Sequence, residues 1–341
     1  MKAFEAAPAG EMPRWRCVDR DRPQLGRGQV LVRLKAASLN YRDLLFSDGR
    51  HGFPVAPPGR IPLSDGAGDV VEIGPGVDRI TPGDRVAGLF AQSWFGGSHS
   101  REGRENTLAG ALDGVLSEYR AFDQHGLVKL PGHLSFDEGA TLPCAALTAW
   151  NALYGLTPLR SGQTVLALGT GGVSLFAVQF AKAAGARVIV TSSSDAKLAR
   201  VRALGADDVI NYARHPDWSA EVLRLTGGQG VDHVIEVGGA GTLPQSIRCA
   251  APGGIVSIIG MLAGGESIDP MSILSANCIL RGVLVGSREM FQAMNRTIAF
   301  HGIRPEIDRV FDFEQANEAL AYLDRGAHVG KVVIRIGGSE A

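Results

Sequence analysis

The stretch Val165–Val173, reading Val-Leu-Ala-Leu-Gly-Thr-Gly-Gly-Val, constrains this chain more than any other. An apolar run of strand length ends in closely spaced glycines, and the amphipathic segment Ser174–Ala184 follows at once, the pattern of a buried strand turning into a helix. Gly169 and Gly171 lack a Cβ and allow a tight turn with close approach to the backbone, while the first N–H groups of a helix are open to an anion. The spacing matches two of the three glycines of the G-x-G-x-x-G dinucleotide fingerprint, with Ser174 at the third. A glycine-rich turn in an α/β protein without nucleotide looks much the same, so the surrounding chain has to decide.

With 341 residues, the chain suits two domains, each large enough for its own core. The 34 Lys and Arg balance 35 Asp and Glu. No basic block is available for a nucleic acid backbone or an anionic membrane. Met1–Gly10 has no apolar signal core and no stretch is long enough to span a bilayer, so a cytoplasmic protein is expected. Cys17, Cys144, Cys249 and Cys278 lie far apart without C-x-x-C spacing and are expected to be buried small hydrophobes. The histidines form no H-x-x-x-H pair, and no metal site is expected.

Residues 1–129 read mainly as strands and turns. Gln29–Ala37 alternates apolar and polar positions, and Gly68–Ile73 and Arg85–Phe90 are short β-branched runs between Gly/Pro turns, predicting an antiparallel, barrel-like domain. The polar cluster Leu39–Ser47 reads as a loop, and the weakly patterned 91–114 as a surface lobe or mobile loop. From residue 130 to 286 strands and helices alternate, which specifies a parallel, doubly wound sheet whose ligands bind beyond the carboxyl ends of its strands. Val237-Gly238-Gly239 and Ile259-Gly260-Met261 end apolar runs with glycine, letting a planar ring approach the main chain or serving as structural turns. Residues 287–341 complete the first domain.

An NAD-specific enzyme places Asp or Glu about 20 residues past the first glycine. This chain has Thr191-Ser192-Ser193-Ser194 there, followed by Lys197 and Arg200. Ser193 and Lys197 suit a 2′-phosphate and favour NADP(H), while Ser194 is also a natural cap for the next helix.

Leu39-Asn40-Tyr41-Arg42-Asp43, Pro62–Val70, Gly83–Val86, Ala146–Trp150, the glycine turn and Ala203–Asp207 together resemble the medium-chain dehydrogenase/reductase superfamily, in particular its zinc-free quinone oxidoreductase-like branch. The resemblance covers almost the full chain. It implies an α/β protein with a GroES-like β-barrel catalytic domain (1–129 and 287–341), a Rossmann domain (130–286), and NADP(H) in the cleft between them. Zinc-bearing relatives have a Cys-containing motif where this chain has Ser38–Asp43, and Gly-His-Glu where it has Leu63-Ser64-Asp65. Without that metal, hydride delivery to a quinone or an α,β-unsaturated carbonyl is the expected chemistry, because such an acceptor carries the resulting charge on its own conjugated oxygen. A metal-free alcohol dehydrogenase or carbonyl reductase, and a cofactor-binding protein with vestigial activity, are the alternatives.

By resemblance, Asn40 and Thr148 lie beside the nicotinamide, and Gly169, Gly171, Gly172 and Val173 contact the pyrophosphate. Lys197 matches a phosphate-binding lysine, and Gly238, Gly260, Met261 and Lys331 are counted with the cofactor site. Tyr41 and His51 are the candidate proton donors, and Asp43 orients polar neighbours or caps a turn. The implied assembly is a homodimer acting on a small carbonyl, enone or quinone.

Overall fold

Strand registers decide which polar residues of this chain meet. The computed structural model describes residues 1–262, 264 and 268–337. The chain divides into two units, Met1–Leu147 with Gly286–Ala341, and Thr148–Val285.

In the first unit, the alternating Gln29–Ser38 becomes a ten-residue strand inside a seven-stranded sheet. One side pairs antiparallel with Asp65–Ile73, beyond which lie Arg85–Gly88 and Leu127–Lys129. The other side pairs with Tyr119–Asp123 and then, over its last three residues, with Lys331–Arg335. Ile307–Asp312 runs parallel to that last strand. Val30, Val32 and Leu34 point into a core shared with Leu63, Val70, Leu116 and Phe122, and completed by Phe311, Leu320 and Ile334 from the far end of the chain. Each such side chain contributes on the order of 1.5–3 kcal/mol by burial.

Ser38 lies opposite Asp65 on one side and Val333 on the other. That register brings Asn40, Asp65 and Lys331 to one end of the sheet, although Asn40 and Lys331 are 291 positions apart. The first unit extends to Leu147, past the boundary expected near residue 130, because Phe136 and Ala140 pack on Ala36, Ala67 and Val333 of the sheet.

Three further expectations are corrected. The supposed loop after Leu39 is the helix Tyr41–Asp48, capped by an Asn40/Asp43 capping box. The 91–114 segment is a surface lobe, exposed at 95–98, but an anchored one: Trp94 and Leu108 are buried, the Trp94 indole N–H donates to the Gly97 carbonyl at 3.0 Å, and Arg101–Glu105 forms a short helix. Cys17 is exposed on the strand Trp15–Asp19 of a two-stranded sheet with Lys2–Ala6, Cys144 and Cys278 are half-buried, and only Cys249 of the four is buried.

The second unit holds a six-stranded parallel sheet in the order Asp208–Asn211, Arg187–Ser192, Thr164–Leu168, Val231–Glu236, Ala250–Ile258, Ile279–Gly282. Counted along the chain, this is the doubly wound order 3-2-1-4-5-6, whose switch point falls between Thr164–Leu168 and Val231–Glu236. The Gly169 turn leaves one of these strands and the Val237–Gly239 loop the other.

Gly68 tests the pairing that sets the first unit's register. A Cβ there would lie 2.1 Å from the Arg33 carbonyl oxygen on the neighbouring strand. Gly68→Ala is expected to lower unfolding free energy by about 1–3 kcal/mol in urea denaturation; an unchanged midpoint would mean the two strands separate there without penalty.

Candidate active site

At the switch point, Gly169 adopts φ 72°, in the region that favours glycine, and its N–H donates to the Thr191 carbonyl at 2.8 Å. Gly171 differs. Its φ −79°, ψ −179° suits any residue, and a Cβ there would meet nothing within 4 Å. The chain's own atoms do not require glycine at 171, so the space ahead of helix Gly172–Ala183 is left open to a ligand. The first intrahelical bond runs from the Leu175 N–H to the Gly171 carbonyl at 3.0 Å. The N–H groups of Gly172, Val173 and Ser174 therefore have no partner within the helix. Such a cradle fits a pyrophosphate. Ser174 replaces the third glycine by donating its buried hydroxyl to the Leu168 carbonyl at 2.6 Å.

Beside it, the strand Arg187–Ser192 runs into an exposed Ser193. Ser194 caps the helix Asp195–Ala203, its Oγ accepting the Lys197 N–H at 3.4 Å. The Tyr212 N–H donates to the Ser192 carbonyl at 3.0 Å, bringing an exposed tyrosine to the same strand end. Asp195 is engaged by Asn211 at 2.7 Å and by Arg214.

Glu236, fully buried at the end of its strand, escaped sequence analysis because a lone Glu closing an apolar run carries no motif. Its Oε1 accepts from the Gly238 N–H at 2.8 Å, the Gly239 N–H at 3.0 Å and Thr242 Oγ1 at 2.6 Å, and its Oε2 accepts from Ser246 Oγ. The carboxylate thus fixes the loop at the switch point. A Cβ at Gly238 would lie 2.3 Å from Thr242 Oγ1, and one at Gly260 1.9 Å from the Val237 carbonyl. At both glycines the chain's own atoms occupy the place of a Cβ. Met261 is exposed, and Thr148 is buried at the start of helix Leu147–Tyr154.

In the first unit the sheet end assembles a buried polar cluster. Lys331, 3% exposed, donates from Nζ to the Leu39 carbonyl at 2.5 Å and to Asn40 Oδ1 at 2.6 Å. Asp65 accepts from Ser64 Oγ at 2.7 Å and from the Cys144 N–H at 3.0 Å. Cys144 lies in a π-helical turn, Leu142–Ala146. The Asn40 N–H donates to Asp43 at 2.7 Å, closing the capping box. Burial raises Asp65, opposed by the Lys331 charge and by side-chain hydrogen bonds from Ser64 and Asn40, and lowers Lys331, opposed chiefly by Asp65. Burial also pushes Asp43 up to about 6, against the Arg42 charge.

The two proton-donor candidates meet: Tyr41 Oη and His51 Nε2 are 3.2 Å apart at the surface. His51 sits at φ 54° in the turn Arg50–Gly52.

Residues 26–132 match the family model described as the GroES-like domain of alcohol dehydrogenase, and residues 172–299 that described as zinc-binding dehydrogenase. The chain is 46% identical over 320 residues to a zinc-type alcohol dehydrogenase-like protein of Schizosaccharomyces pombe, 92% of each being covered. It is similar to the solved structure of a candidate alcohol dehydrogenase from Sinorhizobium meliloti (41% identity, TM-score 0.92, 98% of both chains). A quinone oxidoreductase of Pseudomonas syringae pv. tomato follows at 27% identity and TM-score 0.81, covering 98% of this chain and 99% of that one.

A zinc ion needs several anionic or imidazole ligands around it. Here Asp65 is already engaged by Ser64 and Cys144, and burial pushes the Cys144 thiol up to about 12. The Lys331 ammonium supplies the positive charge. Among the described residues no three His, Cys, Asp or Glu gather as a ligand set. The side chains present do not fit zinc at this place.

Asp43 provides a test of the cluster's burial. Its carboxyl binds a proton more tightly in the folded chain than in the unfolded one, so its protonated form stabilises the fold at low pH. That contribution is lost as pH rises from about 4 through about 6. Asp43→Asn keeps an acceptor for the Asn40 N–H and cannot ionise. Relative to the wild type it should gain about 2 kcal/mol between pH 4.5 and 7.5 in urea denaturation; a pH-independent difference would place Asp43 in contact with solvent.

Proposed function

The chain belongs to the medium-chain dehydrogenase/reductase superfamily, and from that premise we propose that it is an NADPH-dependent reductase. In this reading it delivers hydride, without a metal ion, to a quinone or an α,β-unsaturated carbonyl. The observation that carries the reading is the cluster at the sheet end of the first unit. Lys331, Asn40, Ser64 and Asp65 form a set of hydrogen-bond donors and a charge pair rather than a metal-ligand set. Hydrogen-bond donors suffice for an acceptor that spreads charge over its own conjugated oxygen.

NADPH, when bound, supplies the hydride. The open N–H groups of Gly172 and Val173, approached over Gly169 and Gly171, hold its pyrophosphate. Ser193 and Lys197 hold the 2′-phosphate, where serines replace the acidic residue that would select NAD. Thr148, Met261 and the Gly238 and Gly260 loops belong to the nicotinamide end, with Glu236 fixing the loop that contains Gly238. Asn40 donates to the acceptor's oxygen, and the Tyr41–His51 pair returns a proton. Metal-free carbonyl reduction is the second reading, favoured by the alcohol dehydrogenase names of the similar proteins.

Steady-state assays of chelator-treated protein with 1,4-benzoquinone, an enone and an aldehyde separate the readings. Turnover of the first two is expected, whereas aldehyde turnover that chelator abolishes would overturn the proposal. Lys197→Ala should raise KM for NADPH at least about 10-fold with little change for NADH. Equal effects would remove Lys197 from the 2′-phosphate site.

A homodimer is also proposed. Ile279–Gly282 is an edge strand, and Ile279, Leu284, Met271 and Leu274 in and around it are exposed. Light scattering should give twice the chain mass, and a single-chain mass would refute this.

A further inference from the structure

Two cations of the first unit stand side by side with no carboxylate closed on either. Asp123 opens the turn Gln124–Gly126, its Oδ1 accepting the His125 N–H at 2.7 Å. The first two carbonyls of that turn each take a guanidinium: Gln124 accepts from Arg79 Nη1 at 2.7 Å, and His125 from Arg288 Nη1 at 3.1 Å. Those carbonyls belong to consecutive residues, so the two side chains are held as neighbours. Burial, and after it the Arg79 charge, lowers Arg288, with Asp123 opposing. Among the described residues neither guanidinium forms an ion pair, and Glu289, next in sequence, has its Oε2 beside Gly96. Arg288 is also the first residue of the helix Arg288–His301, the end at which the helix dipole disfavours a cation. Like charges at a helix end of the same sign are relieved by a bound anion.

The histidine between them supplies a further donor. Arg288 Nη1 lies 3.3 Å from His125 Nδ1. A guanidinium only donates, so Nδ1 is the acceptor, the imidazole is neutral, and its proton is on Nε2. That N–H has no partner among the described residues. Beside it Phe95 is 40% exposed, with Arg288 Cζ 4.7 Å from its ring centre and the His125 ring 5.7 Å away. The aromatic ring is anchored through its backbone, because the Arg288 and Glu289 N–H groups donate to the Trp94 and Phe95 carbonyls at 2.9 and 3.0 Å.

We propose that Arg79, Arg288, His125 and Phe95 form an anion site separate from the glycine turn, and that its ligand is a nucleoside monophosphate. Two guanidinium forks and an imidazole N–H match the three terminal oxygens of a phosphate monoester, where a carboxylate offers only two. The guanidiniums are already fixed by neutral carbonyls, so little side-chain freedom is lost when the anion arrives. An exposed, anchored ring next to the donors suits the planar base, which stacks on an aromatic face. The site lies entirely in the first unit and the glycine turn entirely in the second. It therefore goes beyond the reductase reading and stands whether or not that reading does.

Isothermal titration of the full chain with AMP, adenosine and inorganic phosphate, with and without saturating NADPH, is the test. AMP should bind at least about 10-fold more tightly than adenosine or inorganic phosphate, and NADPH should leave that affinity in place. Arg79→Ala should weaken AMP at least about 10-fold, and Arg288→Lys, which keeps a charge but loses the fork, at least about 5-fold. Phe95→Leu changes an exposed ring and keeps the fold; it should weaken AMP at least about 5-fold and leave inorganic phosphate within about twofold. AMP affinity no better than that of adenosine, or AMP binding that Arg79→Ala and Phe95→Leu leave intact, would overturn the inference. AMP binding seen only without NADPH would assign it to the glycine turn and overturn the inference too. A poly-glutamate peptide that binds more tightly than AMP would make the patch a docking face for acidic protein, with the same consequence.

Discussion

A lysine side chain shut away from water organises one end of the sheet of the first unit. Excluding such a charge from solvent is tolerable only where opposite charge and acceptors surround it. Asp65 supplies the charge, and the Leu39 carbonyl and Asn40 Oδ1 supply acceptors. Those groups come from three strands or strand ends distant in sequence. The ladder of Gln29–Ser38 with both neighbours is what keeps them together. A slip by one residue would turn Asp65 to the opposite face and leave the ammonium uncompensated.

The second unit solves a related problem with the opposite sign. Glu236 is a buried carboxylate satisfied by two backbone N–H groups and two hydroxyls from a single loop and the helix after it. In both units a buried charge at a strand end shapes irregular backbone that the sheet alone would leave loosely determined. The glycine turn needs no such device. Gly169 takes its conformation from the strand-to-helix connection, and Gly171 stays open because nothing in the chain fills the space.

Local patterns carried much of this organisation. The apolar run into Gly169, the βα alternation and the serines after Arg187–Ser192 are all features of neighbouring residues, and the doubly wound sheet follows from them. The helix Tyr41–Asp48 was less legible, because its capping box is built from Asn40 and Asp43 rather than the usual Ser or Thr with Glu. The burial of Lys331 and of Glu236 was hidden for a deeper reason. A single charged residue at the end of a strand reads as solvated, and only the folded chain shows that each is buried and what it holds. The extension of the first unit to Leu147 likewise depends on Phe136 and Ala140 meeting strands from both ends of the chain.

The proposed chemistry calls on a cradle for the dinucleotide, serines and a lysine for its 2′-phosphate, and a polar cluster for the acceptor. Deuterium tracing tests this most directly. Chelator-treated protein is incubated with NADPH deuterated at nicotinamide C4 and a cyclic enone, and the product is read by mass spectrometry and NMR. One deuterium at the β-carbon of the saturated ketone is the predicted result. Deuterium at the carbonyl carbon, or transfer that disappears with chelation, would contradict it.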